Sequence, residues 1–154
     1  MVRAWTKSFV IGLTVIVLVI QAVPYGRDHM NPPVHAEPAW DTSLTRDLTV
    51  RACFDCHSNQ TVWPWYSNIA PISWLIERDV KKGRRELNFS EWHKAQEEAH
   101  ESANTVRKGS MPPWYYPWAG LSFAERQQLF EGWNPRSGAE SGKDTTDDKK
   151  DNAA

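Results

Sequence analysis

Cys53-Phe54-Asp55-Cys56-His57 is the stretch on which the reading of this chain turns, and both cysteines of the sequence fall in it. On a helix, residues three and four apart share one face. Cys53 and Cys56 can therefore bond one edge of a porphyrin, with the His57 imidazole under its iron. C-x-x-C-H is the attachment pattern of a c-type haem, and histidine is the usual proximal ligand. Three plainer readings compete. A dithiol redox pair needs one low-pKa thiol and usually a βαβ setting, which the sequence lacks. A structural zinc needs a second ligand pair, but no second cysteine pair exists and His93 and His100 are too far apart in sequence. A disulfide would have to close a very short loop. One covalent haem c is the expected cofactor, held by Cys53 and Cys56 with His57 on the iron.

The surrounding composition agrees. Nine tryptophans in 154 residues suit the lining of a flat apolar group, and Trp63, Trp65, Trp74, Trp114 and Trp118 flank the candidate ligands. They equally suit ordinary packing of a small core. A net charge of -1 gives no global basic field, so no nucleic-acid partner is expected.

Organisation follows from the hydropathy. Arg3 and Lys7 precede an uncharged, largely apolar run from Phe9 to Ile20. Residues 1–24 are expected to form an N-terminal transmembrane helix, or else a cleaved signal peptide. The first is preferred, because Ile20 spoils a cleavage site after Ala22. The basic flank would leave the rest of the chain outside the cytoplasm, which predicts a bacterial inner membrane with the remainder in the periplasm. Residues 25–39 read as a proline-rich linker and 40–134 as the folded unit. Residues 135–154, rich in Gly, Ser, Asp and Lys, read as a disordered tail.

Within 40–134 the expected class is all-α, a small cytochrome c-like helical domain around one haem. Helices are predicted over about 43–56 and 71–85, from Ser90 to near Gly109, and from the capping box Ser122-Phe123-Ala124-Glu125 onward. For the second iron ligand, Met111 in the stiff Gly109-Ser110-Met111-Pro112-Pro113 loop is preferred, because a methionine there has no packing role of its own. His29, His35, His93 and His100, or an open position, are the alternatives. Trp63, Trp65 and Tyr66 either pack on the porphyrin edge or fill core. Lys81, Lys82, Arg84 and Arg85 either dock an acidic redox partner or decorate a helix C-terminus.

The order Cys53–His57, Trp63-Pro64-Trp65-Tyr66-Ser67, Ile69-Ala70-Pro71 and Leu87-Asn88-Phe89-Ser90-Glu91-Trp92 resembles the haem-binding-domain family of small bacterial mono-haem proteins. The likeness covers about Asp47 to Trp133, and its C-terminal half looks like a class I cytochrome c. It implies His57 proximal and Met111 distal on the iron, with a backbone carbonyl such as that of Pro71 accepting the other His57 ring N–H. Three functions are compatible. One is a membrane-tethered electron carrier working with redox partner proteins. The second is a haem-based sensor or small-ligand binder with an open or displaceable iron position. The last and weakest is an enzyme, because no distal acid–base pair is placed.

Overall fold

The computed structural model describes residues 2–133, and the tail expected over 135–154 lies outside them. The fold is all-helical. Five α-helices run in order: α1 Val2–Ile20, α2 Ser43–His57, α3 Ile72–Glu86, α4 Ala99–Arg107 and α5 Phe123–Gly132. Two single 3-10 turns, Trp65–Asn68 and Pro117–Ala119, sit in the connections. Among the described residues the only β contact is an isolated bridge between Ala36 and Glu91.

Two of the helices, α2 and α5, start where a side chain satisfies a free N–H group. The Thr42 hydroxyl caps α2 by accepting from the Thr45 N–H at 3.1 Å. The capping box at the head of α5 is complete: Ser122 and Glu125 each accept the other's backbone N–H. The predicted third helix is much shorter than expected. Residues 88–98 form turns instead, because their backbone and side chains are engaged elsewhere. The Ser90 carbonyl accepts the N–H groups of His35 and Ala36, and the Ala36 carbonyl accepts that of Trp92. Asn88 Oδ1 accepts the Ser90 N–H, and Gln96 Oε1 accepts that of Asn88.

Those bonds belong to a second departure from expectation. The segment read as a linker is an arm fastened along the domain. Asn59 donates to the Pro33 carbonyl and Asn31 to that of Thr61. The Arg84 guanidinium donates to the carbonyls of Met30 and Ser58, to Asn31 Oδ1 and to the Thr61 hydroxyl. Glu37 takes a bidentate pair of bonds from Arg46 at 2.7 and 2.9 Å, a strong geometry for such a pair.

The core has two parts. Phe54, Leu87, Phe89, Trp92 and Ala99 form one cluster, flanked by Trp40 and Trp133. Leu48, Ala52, Leu121 and Leu129 form the other. Cys53 packs against both. α1 lies apart from either. From Trp5 to Val19 every residue of it is exposed. No helix among the described residues is long and apolar enough to cross a membrane, so the expected transmembrane helix finds no support in the fold. Its apolar run, Phe9 to Ile20, is about 18 Å long at 1.5 Å per residue, against a hydrocarbon core of about 30 Å.

Candidate haem site

The C-terminal turn of α2 carries Cys53, Cys56 and His57 and is held from several sides. The last carbonyls of a helix have no partner within it. Here the Ser58 hydroxyl donates to the Phe54 carbonyl, the Thr61 hydroxyl to that of Asp55, and the Phe89 N–H to that of His57, each at 2.8 Å. α3 crosses α2 at this turn. A Cβ on Gly83 would lie 2.3 Å from the Cys56 carbonyl oxygen, so only glycine permits the approach.

A cavity of about 570 Å³ opens beside the turn. Cys53, Cys56 and His57 line it, together with Ala52 from α2 and Gly83 from α3. Met111, Pro112, Pro113, Tyr115 and Tyr116 supply wall from the connection between α4 and α5, and Phe89, Leu129 and Trp133 close it from the two core clusters. Arg78, Lys82, Glu86, Glu98 and Glu101 are also in its lining and bring charge of both signs.

The His57 ring is oriented by its Nδ1, which lies 3.1 Å from the Leu87 carbonyl oxygen. The acceptor is Leu87 and not Pro71, whose carbonyl accepts the N–H groups of Trp74 and Leu75. With Nδ1 donating, Nε2 keeps its lone pair. Burial pushes the imidazole below its usual pKa, outweighing the backbone carbonyls of Leu87 and Gly83, so it is neutral, as a metal ligand must be. Burial also pushes the Cys53 thiol up to about 12 and the Cys56 thiol up to about 11, with further contributions from each thiol's charged neighbours. A dithiol redox pair needs a lowered thiol pKa, and this site provides the reverse.

Met111, partly buried, is the only one of the five candidate second ligands in the cavity wall. Its backbone is fixed by Arg126, which donates to the Met111 carbonyl at 2.8 Å and to that of Val106 at 3.1 Å. The histidines are elsewhere. His29 stacks on Trp63 at 4.6 Å, His35 and His93 meet edge to face at 5.2 Å, and the His100 ring sits on the Glu97 carbonyl.

The aromatic expectations need correction. Trp63, Trp65, Tyr66 and Pro71 are not in the cavity lining. Trp63 is taken up by the arm, Trp65 projects into solvent, and Tyr66 lines a smaller neighbouring pocket of about 270 Å³. The rings that do line the site are Phe89, Tyr115, Tyr116 and Trp133, which carry no periodic signal in the sequence. Tyr116 is distinctive. Its hydroxyl is buried without a nitrogen or oxygen partner, and burial beside Cys56 and Asp79 raises its pKa. Three of the four members of the basic cluster on α3 have partners: Lys81 pairs with Glu77, Lys82 with Glu86, and Arg84 holds the arm.

Residues 15–134 match the family model described as the haem-binding domain. This chain belongs to the haem-binding-domain family. The match begins inside α1, so the arm is part of the domain. No curated protein and no solved structure matches the chain. The cavity of this haem-binding domain fits the group its family implies. Its size is that of a cofactor site. Two thiols and a neutral imidazole share one helix turn, a thioether stands in the same wall, and the buried Tyr116 hydroxyl beside Cys56 has no nitrogen or oxygen partner.

Proposed function

We propose that this protein carries single electrons on one covalently bound haem c, tethered at the bacterial inner membrane with its haem domain in the periplasm. The observation that supports this reading is the shared wall: Cys53, Cys56, His57 and Met111 line one cavity, and no other candidate ligand does. Cys53 and Cys56 would hold the haem through thioether bonds. His57 would ligate the iron through Nε2, and the Met111 thioether would supply a second ligand. The bound haem supplies a one-electron couple that no side chain offers, and a thioether ligand raises its potential.

The chain's own residues prepare that role. Leu87 fixes the His57 ring, Arg126 fixes the Met111 loop, and the apolar wall from Phe89 to Trp133 keeps water off the buried face. The tether is α1. Its stretch from Phe9 onward is uncharged and largely apolar all round, a helix surface of that kind is stable only when covered, and lipid is the cover proposed. Periplasmic placement follows from the chemistry of the motif, since c-type haem is attached outside the cytoplasm in bacteria. Redox partner proteins would meet the haem at the open side of the cavity.

Intact mass under denaturing conditions tests the attachment. One added haem is expected, and a bare polypeptide from cells competent in cytochrome c maturation overturns it. Met111→Ala tests the electron-carrier reading. The variant is expected to keep its haem, lose the low-spin thioether signature, bind carbon monoxide readily and fall in potential. Rapid carbon monoxide binding by the unaltered protein overturns the closed iron, and a sensor or small-ligand binder then replaces the electron carrier.

A further inference from the structure

The junction between α1 and the haem domain is built as a rigid mount. Gln21 is the polar residue that interrupts the apolar run. Its Nε2 donates to the Ala70 carbonyl at 2.9 Å and its Oε1 accepts the Ala70 N–H at 3.0 Å. The same amide also donates to Val17 O and accepts from Arg27. The end of α1 is thus tied to the backbone just before α3. Five residues on, Gly26 (φ +80°) lies so close to α3 that a Cβ would be 2.4 Å from the Ser73 carbonyl oxygen. His29 closes the junction, with Nε2 3.1 Å from the Ser67 carbonyl and its ring stacked on Trp63. No free chain separates the helix from the domain.

This fixes what surrounds the exit of α1. Ile69 and Ile72 flank Ala70 in sequence, so they lie within a few residue lengths of the Gln21 clamp, at about 3.8 Å per residue. Both are exposed, at 41% and 46%, and Trp65, one short turn earlier, is 76% exposed. Removing such apolar surface from water is favourable, and these side chains stay open to solvent. Tryptophan beside an apolar helix end is the residue type that settles at a membrane–water boundary.

We infer that Trp65, Ile69 and Ile72 form a collar that seats in the lipid interface around the exit of α1, holding the haem domain in one orientation on the membrane. The inference rests on the proposed tethering through α1 and adds to it a fixed pose. The lipid surface is the occupant because the collar is continuous with the exposed, uncharged and largely apolar stretch of α1 that begins at Phe9.

The test uses the full haem-loaded chain with vesicles of phosphatidylcholine and phosphatidylglycerol that carry a photoactivatable diazirine near the glycerol. Co-sedimentation reads the tether, and mass mapping of lipid adducts reads the pose. Adducts are expected in α1 and also within residues 65–72. A paired change, Trp65→Ser with Ile72→Ser, should cut the second set at least fivefold while co-sedimentation and the haem spectrum stay unchanged. Gln21→Ala, which releases the clamp, should lower the same adducts without releasing the protein. Co-sedimentation with adducts in α1 alone overturns the collar and leaves the tether standing. A protein that stays in the supernatant overturns the tether, and the collar with it.

Discussion

Two aromatic segments invite comparison: Trp63-Pro64-Trp65-Tyr66, close after the C-x-x-C-H motif, and Trp114-Tyr115-Tyr116, far from it. The near segment turns away from the cavity, whereas Tyr115 and Tyr116 of the far one build its wall and Trp114 stays exposed. The reason is the turn that ends α2. Ser58, Asn59 and Thr61 use their side chains to close the helix and catch the arm, and this carries the chain around the end of α2. The far segment returns to Cys56 because Arg126 holds the Met111 loop against α4. Proximity in sequence to a cofactor motif therefore says little about which rings meet the cofactor. What decides is which connection packs back on the motif's own helix.

Substitutions in the cavity wall and in the near segment should separate sharply. Phe89 is 3% exposed and stacks or crosses with Trp40, Phe54, Trp92 and Trp133 at ring separations of 5.3 to 5.9 Å. Phe89→Ala is expected to lower the unfolding free energy by about 3–5 kcal/mol in urea titration. Trp65→Ala, measured in detergent, should move it by less than about 0.5 kcal/mol. Equal losses would break the comparison.

Next in size is the arm that captures the near segment. Arg84→Ala removes four hydrogen bonds and is expected to cost about 2–3 kcal/mol. It should also speed proteolysis between Tyr25 and Trp40, whereas Lys82→Ala should do neither. Tyr116→Phe sharpens the far side. Its hydroxyl is buried beside the Cys56 sulfur without a nitrogen or oxygen partner, so the haem-free protein should gain up to about 1 kcal/mol from its removal. A loss of more than that amount would show a partner in the haem-free state.

The smallest effects lie at the start of α5, which presents Leu129 to the cavity. Ser122→Ala should cost about 1 kcal/mol. Glu125 is held down to about 2, chiefly by its hydrogen bond from Arg51 and then by the Ser122 backbone. A lowered folded-state pKa stabilises the fold above the usual carboxylate value of 4.5 and is lost as pH falls through about 2. The stability difference between the protein and Glu125→Gln should accordingly shrink between pH 4.5 and 2, and a constant difference would count against the pairing.

Local signals were legible where the helix makes its own bonds. α2 and α3 fall within a residue or so of their predicted limits, and the α5 capping box is present as read. Met111 was singled out by the absence of any packing role for it in a stiff loop, and it stands in the cavity wall. The sequence did not betray the long-range partners. Nothing in Asn88-Phe89-Ser90 announces that its backbone will bond to His35 and Ala36, which is why a helix was expected from Ser90. The Leu87 carbonyl behind His57 is equally silent, since a main-chain acceptor leaves no residue type to detect. A proline-rich stretch reads as a linker unless its fasteners, Asn59, Arg84 and Gln21, are seen in place.

The arm also sets an order in time. Its residues leave the ribosome before Ser90 and Trp92, the groups to which His35 and Ala36 are bonded. Its bonds to residues 90–92 therefore cannot form until the chain is complete to beyond Trp92, although Asn59, Thr61 and Arg84 can hold its earlier part before then. Until then the end of α2, with its two thiols, lacks that last part of the strap and the Phe89 N–H that closes the His57 carbonyl.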